Sequence, residues 1–258
     1  MKSDDLFRHI AVNESMVGKY VFLPGKPERV PRIAAFFDNA EKTAQSREHT
    51  TWTGFLDGVK VSACSTGMGG PSSAICMEEF VKCKAHTFIR IGGCGATQSY
   101  VKRGDLCVPN GAVRMEGTGL FYLPVEFPAL PDYSLLRDLE EAAEKSGLTY
   151  HIGVTVSKDS FYGEVEPERS PRANEIIEKW HQYESGGAIC TAMEEATLFI
   201  VASSLGVRCA SILFADAGSR KFEPIFIDPV EMEERAIRVG IEAMRLAIRR
   251  DKMVNSDK

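Results

Sequence analysis

Phe88-Ile89-Arg90-Ile91-Gly92-Gly93-Cys94-Gly95-Ala96 runs an apolar strand straight into glycines, with one arginine inside the strand. A buried guanidinium without a counter-charge costs several kcal/mol, so an arginine in such a strand points to an anion. Glycines directly after it let backbone N–H groups approach a ligand closely. The stretch therefore reads as an anion pocket at the carboxyl end of a sheet strand, where open α/β sheets place their ligands. Taken alone, it reads equally well as a tight strand-to-helix turn with Arg90 leaning into solvent.

Two more glycine turns lie upstream. Residues 18–24 form a first strand that ends in Pro24-Gly25-Lys26-Pro27, with a helix over 28–38 and Arg29 one turn in. A glycine turn, a helix start and an arginine make a plausible anion cradle. Residues 47–55 and 59–64 read as a hairpin closed around Leu56-Asp57-Gly58. Ser65-Thr66-Gly67-Met68-Gly69-Gly70-Pro71-Ser72-Ser73 follows, then a helix over 71–83, again suited to phosphate or sugar oxygens.

Downstream, Leu106-Cys107-Val108-Pro109 is a strand, and 110–130 a long loop with aromatics. A helix over 134–146 stops at Gly147, a strand covers 151–156, and a charged, proline-bearing loop spans 163–172 over a site. A helix over 173–183, an apolar helix ending near Leu205, a strand over 208–214 and an amphipathic helix over 229–250 complete the chain, with a frayed charged tail over 251–258. Strands alternate with helices and no repeat or low-complexity linker interrupts them. The class is α/β, with one domain over 1–258.

The 258 residues carry a formal net charge of -5 and no basic tract, which argues against a nucleic-acid partner. The amino terminus lacks the apolar core of a signal peptide, and no apolar run approaches roughly 18 residues, so the sequence predicts a cytoplasmic protein without a membrane span. The seven cysteines include no C-x-x-C pair and sit mostly in apolar runs, which fits small buried hydrophobes better than disulfides or zinc. His49, His86, His151 and His181 have no catalytic partner in sequence and read as structural or solvated.

Phe22-Leu23-Pro24-Gly25-x-Pro27-x-Arg29-Val30, Ser46-Arg47-Glu48-x-Thr50-Thr51-Trp52, Ser65-Thr66-Gly67-Met68-Gly69-Gly70-Pro71-Ser72, Phe88-Ile89-Arg90-Ile91-Gly92, Phe127-Pro128-Ala129 and Met193-Glu194-x-Ala196 occur in this order. Each is weak alone. Together, from about residue 5 to 249, they resemble the nucleoside phosphorylase-I family, most closely its uridine phosphorylase branch. The resemblance implies a three-layer α/β/α sandwich around a central mixed β-sheet. It also implies phosphorolysis of uridine, and of 2′-deoxyuridine, to uracil and the (deoxy)ribose 1-phosphate. Such a reaction needs no enzyme nucleophile; electrostatics and positioning carry it.

By the same resemblance, Gly25, Arg29, Arg90 and Gly93, with Arg47 of a neighbouring subunit, hold phosphate. Arginine suits this because its fork binds phosphate through two parallel bonds. Glu194 holds the ribose hydroxyls, Met193 packs on the sugar, and Phe161 stacks on the base. Arg90 and Glu194 are the catalytic pair. His9 corresponds to a histidine that reaches the ribose 5′-hydroxyl from the neighbouring subunit, displaced two residues toward the first glycine turn. Glu48, Met68 through its carbonyl, and Ser72 correspond to a monovalent cation (K+) site at a subunit interface. The resemblance implies no organic cofactor, inorganic phosphate as co-substrate, and a homo-oligomer in which dimers that share their sites usually assemble into a hexamer.

Four positions depart from the pattern. Gly93 stands in place of a threonine, Ala192 in place of a first glutamate, and Lys26 in place of an acid. The loop after Phe161 lacks the glutamine that reads uracil, leaving Arg169, Arg220 and Lys158 as candidate donors to the base. Asp216 ends the last strand where purine-specific relatives keep a base-protonating aspartate, and that role needs a raised pKa. A purine nucleoside phosphorylase is therefore the alternative within the family. A non-catalytic nucleoside-binding protein on the same scaffold is the alternative outside enzymes.

Overall fold

The computed structural model describes residues 5–217 and 229–256. The strands are β1 (Tyr20–Pro24), β2 (Asp38–Ser46), β3 (His49–Leu56), β4 (Val59–Cys64), β5 (Thr87–Ala96), β6 (Leu106–Met115), β7 (Tyr150–Lys158), β8 (Cys190–Ala192) and β9 (Arg208–Ala217). The helices are α1 (Arg29–Ala34), α2 (Gly70–Lys82), α3 (Tyr133–Ser146), α4 (Phe161–Val165), α5 (Ala173–Ser185), α6 (Glu195–Leu205) and α7 (Pro229–Ser256). The strands form one mixed sheet in the order β2-β3-β4-β1-β5-β8-β7-β6-β9, and β9 pairs back onto β5. Five strands thus close on themselves, with the other four as a wing.

Side-chain alternation along β1 and β5 sorts the core into layers. Phe22, Ile89 and Ile91 face the helices α1, α3 and α7, where Ile33, Leu139 and Met244 pack. Val21, Leu23 and Phe88 face the opposite way, against Phe80 of α2 and Leu198 and Phe199 of α6. The expected helix–sheet–helix layering is therefore present, with the closed five-strand ring as an addition. Cys94, Cys107 and Cys190 line a small apolar cluster with Val101, Ile189 and Leu213. All seven cysteines are buried and free, as expected of small core residues.

β5 is the pivot. Thr87–Ile91 pairs with β1 in parallel, while Gly95 and Ala96 pair with β8 in antiparallel sense on the same edge. The opposite edge pairs with β9 along nearly its whole length. The glycines lie where the strand leaves one neighbour for the next. The close approach of β1 to β4 also needs a glycine: a Cβ at Gly18 would lie 2.3 Å from the backbone oxygen of Lys60. Gly18→Ala is expected to cost about 1–3 kcal/mol by overpacking, read as a lowered midpoint in thermal unfolding.

Several boundaries differ from the sequence reading. The first helix ends at Ala34, and β2 takes up 38–46, an edge strand of Asp-Asn-Ala-Glu-Lys-Thr-Ala-Gln-Ser with no apolar alternation to reveal it. β6 continues past Pro109 to Met115 through an irregularity at Gly111 and pairs with β7, where a loop was expected. The segment read as a loop over 163–172 holds the end of α4 and a 3₁₀ turn over Pro167–Arg169. α7 does not fray at 251: Asp251 accepts hydrogen bonds from Tyr20 Oη at 2.9 Å and Arg208 Nη1 at 3.0 Å, which anchors a helix running to Ser256. The stop at Gly147 is as read, in the left-handed conformation at φ 68°. Among the described residues, no helix is long and apolar enough to cross a membrane.

Candidate active site

The carboxyl ends of β1 and β4 meet at the two upstream glycine turns, beside the middle of β5. Pro24 and Gly25 carbonyls accept from the amides of Thr66 at 2.8 Å and Gly67 at 2.9 Å, so the two turns are joined backbone to backbone. A Cβ at Gly25 would lie 3.6 Å from Gly67 O and 3.9 Å from Arg90 Nη1. Arg90 thus projects from β5 toward both turns.

Arg90 is buried between two carboxylates at the start of α6. Its Nε donates to Glu195 Oε1 at 2.5 Å, and its Nη2 donates to Glu194. Burial alone would lower its pKa, but Glu194 and Glu195 outweigh it and hold the guanidinium above its ordinary value. Arg90 Nη1 is buried without a hydrogen-bond partner among the described residues. A buried donor of this kind costs free energy unless something accepts from it. Burial pushes the Glu195 carboxyl up, against the pull of Arg90. Glu194 Oε1 accepts from the Gly69 amide at 2.8 Å, and its other oxygen accepts from the Met193 amide at 3.2 Å. The N-terminal ends of α2 and α6 are thereby tied to one carboxylate, and Met193 stands beside it.

Arg29 is buried at the start of α1 with its guanidinium 5.1 Å from the centroid of the Phe214 ring. Its Nη1 donates to the Ile91 carbonyl and its Nη2 to Glu233 Oε1, each at 2.9 Å, and Nε has no partner among the described residues. Glu233 of α7 also pairs with Lys26 and Arg32, so one carboxylate balances three cations around the first turn. Lys26 is accordingly an ion-pair partner here. Gly93 faces Phe214, whose Cζ would lie 3.1 Å from an added Cβ, so the aromatic ring takes the room a larger residue at 93 would need.

The other end of the site is built by β7, β8 and α4. Ser157 pairs with Ala192, so Lys158 and Met193 follow directly after the last paired residues of β7 and β8. Lys158 is 4% exposed, donates to Thr191 Oγ1 at 2.9 Å and pairs with Glu164 of α4. Its ammonium lies 5.7 Å from the Phe161 ring centroid and 5.9 Å from that of Trp180. Such faces favour a cation. Arg169 is directed elsewhere: its side chain is 69% exposed and bonded to Glu166 at 2.6 Å. Asp216 is 58% exposed and faces Arg103 at 3.4 Å, so it lacks the burial expected of a proton-donating carboxyl. Arg220 lies outside the described residues.

Arg47 occupies the exposed turn between β2 and β3 with φ 53°, and His9 is held by Glu79 of α2 through Nδ1 at 2.6 Å. Neither is bonded to Arg90 or Glu194 in this chain. Ser72 Oγ donates to Glu48 at 2.6 Å, which draws the Glu48 carboxylate below its usual range, and Met68 is exposed nearby in sequence on the second turn. Sequence reading missed Glu195, Glu233 and Glu164. Glu195 adjoins a named residue and was within reach; Glu233 lies far along the chain and carries no local signal.

A carboxylate pair thus clasps a buried arginine beside two joined glycine turns at strand ends. The sequence matches the Phosphorylase superfamily over residues 19–246, and the chain belongs to that family. It is 40% identical over 250 residues to a uridine phosphorylase of Treponema pallidum (strain Nichols), covering 96% of this chain and 97% of the relative. It is 42% identical over 221 residues to a uridine phosphorylase of Thermococcus kodakarensis, covering 83% and 79% respectively. A guanosine phosphorylase of Halorubrum lacusprofundi is 37% identical over 244 residues, covering 92% and 97%.

Proposed function

We propose that this protein cleaves uridine with inorganic phosphate, releasing uracil and ribose 1-phosphate. The observation that carries the reading is the buried, unpartnered Nη1 of Arg90 beside Gly25, next to the carboxylate of Glu194. Phosphate accepts from Arg90, with Arg29 adding positive potential, and Glu194 accepts from the ribose hydroxyls. The N1–C1′ bond breaks with its electron pair passing to the base, while a phosphate oxygen forms the new bond to C1′. The uracil anion then takes up a proton. Positive charge on the sugar is stabilised between the phosphate and the Glu194 carboxylate. Two uridine phosphorylases among the relatives, aligned over most of the chain, support the same reading.

The base lies between Phe161 and Lys158 in this account. Uracil offers an N3–H donor flanked by two carbonyl acceptors, which Glu164 and Lys158 complement. Hydrogen bonds to charged groups contribute about 1.5–3 kcal/mol, so Lys158→Met is expected to lower kcat/KM for uridine about tenfold to a hundredfold, leaving the KM for phosphate unchanged. Steady-state kinetics with each substrate varied in turn checks this. Guanine presents an N–H beside a carbonyl as well, so the Lys158–Glu164 pair and the guanosine phosphorylase relative favour a second reading, cleavage of guanosine.

Arg47 and His9 complete the phosphate and ribose contacts from a second copy, which makes the working unit a dimer with shared sites, assembled into a hexamer. Glu48 and Ser72, bonded to each other beside the second glycine turn, offer oxygen ligands suited to a monovalent cation such as K+. The test of the substrate is base release from uridine and from guanosine, each with and without phosphate. Uridine cleavage that requires phosphate supports the proposal; cleavage of guanosine alone replaces it with the second reading; cleavage without phosphate, or of neither, overturns both.

A further inference from the structure

We propose that His49, Cys64 and Cys76 form a binding site for a thiophilic divalent metal of the zinc class. The three residues come from the start of β3, the end of β4 and the middle of α2. One imidazole nitrogen and the two sulfurs all lie within 4.8 Å of one another, and all three residues are buried. The sulfurs are 3.8 Å apart. That is too long for a disulfide. It matches the separation of about 3.8 Å that two thiolates take around a tetrahedral zinc with Zn–S bonds of about 2.3 Å.

The surroundings are those of a supported ligand set. His49 Nδ1 lies 2.8 Å from the Ser65 carbonyl, the kind of bond that orients a ligating imidazole. Thr51 Oγ1 donates to Cys64 Sγ at 3.3 Å. Two thiolates balance the charge of a divalent ion and the neutral imidazole adds none, which suits a buried site. Glu48 Oε1 lies 3.9 Å from His49 Nε2 and is half exposed, which marks the side of the site open to solvent.

Cys94, Cys107 and Cys190 also lie within 4.8 Å of one another. They sit among apolar side chains of the closed strand ring, without an imidazole, and three thiolates would leave a divalent ion with a surplus negative charge. That cluster serves as the internal control. No metal spacing is visible in the sequence because the ligands of the proposed site come from three separate elements.

The test is titration of the full-length, reduced, metal-free protein with Co2+, followed by Zn2+ displacement and thermal melting. The expected result is one equivalent of Co2+ with thiolate-to-cobalt charge transfer and tetrahedral visible bands, displaced by Zn2+, and a melting temperature raised by zinc. Cys76→Ala is expected to weaken binding at least a hundredfold, and Cys107→Ala to leave it unchanged. No stoichiometric band in the unsubstituted protein overturns the proposal whatever the variants do. So does binding that survives Cys76→Ala or disappears with Cys107→Ala.

Discussion

Arg90→Lys should raise the KM for phosphate steeply and lower kcat/KM for phosphate by about 10²–10³, the usual effect of removing one donor aimed at reacting charge. Lysine keeps a positive charge near Glu194 and Glu195 but has no planar fork. It cannot hold both carboxylates and still direct a donor toward Gly25, as Arg90 does through Nε, Nη2 and Nη1. Lysine is chosen over alanine because Arg90→Ala leaves two buried carboxylates without a counter-charge, a loss of about 3–5 kcal/mol when one partner of a buried pair is removed. A melting curve separates that loss of fold from a loss of phosphate affinity. An unchanged phosphate dependence in a folded Arg90→Lys protein would refute the placement of the anion.

Glu194→Gln is expected to reduce kcat/KM for the nucleoside by about 10²–10³, equivalent to about 2.7–4 kcal/mol, with a much smaller change in KM for phosphate. The amide oxygen can still accept from Gly69, so the junction of α2 and α6 survives. What disappears is the negative charge facing the sugar as positive charge develops there. The contrast between the two variants is the informative part: one acts on phosphate, the other on nucleoside. If Glu194→Gln kept full nucleoside turnover, the sugar would have to sit elsewhere.

The sequence made the strand-and-turn skeleton legible because its signals are local. Gly147 stops α3, and two strands run into glycine turns at 24–25 and 65–70, whereas the glycines at 92–95, read as ending their strand, lie inside β5. The edge strand β2 was hidden because it carries no apolar alternation, and the extension of β6 because Pro109 and Gly111 imitate a loop. The same division holds at the site. Arg90 and Glu194 announce themselves by residue type and setting, whereas Glu233, which gathers Lys26, Arg29 and Arg32, is brought in only by the packing of α7. Lys158 was legible as a candidate donor, but its partners Glu164, Thr191 and Trp180 come from three elements that follow it in the chain. Arg169, equally plausible as a sequence feature, is turned to solvent by its bond to Glu166.

The most direct measurement is phosphorus NMR of the protein incubated with uridine and inorganic phosphate, with uracil followed in the same sample. The account predicts a ribose 1-phosphate resonance that grows in step with uracil as inorganic phosphate declines. Uracil accompanied by free ribose, with phosphate unconsumed, would contradict it.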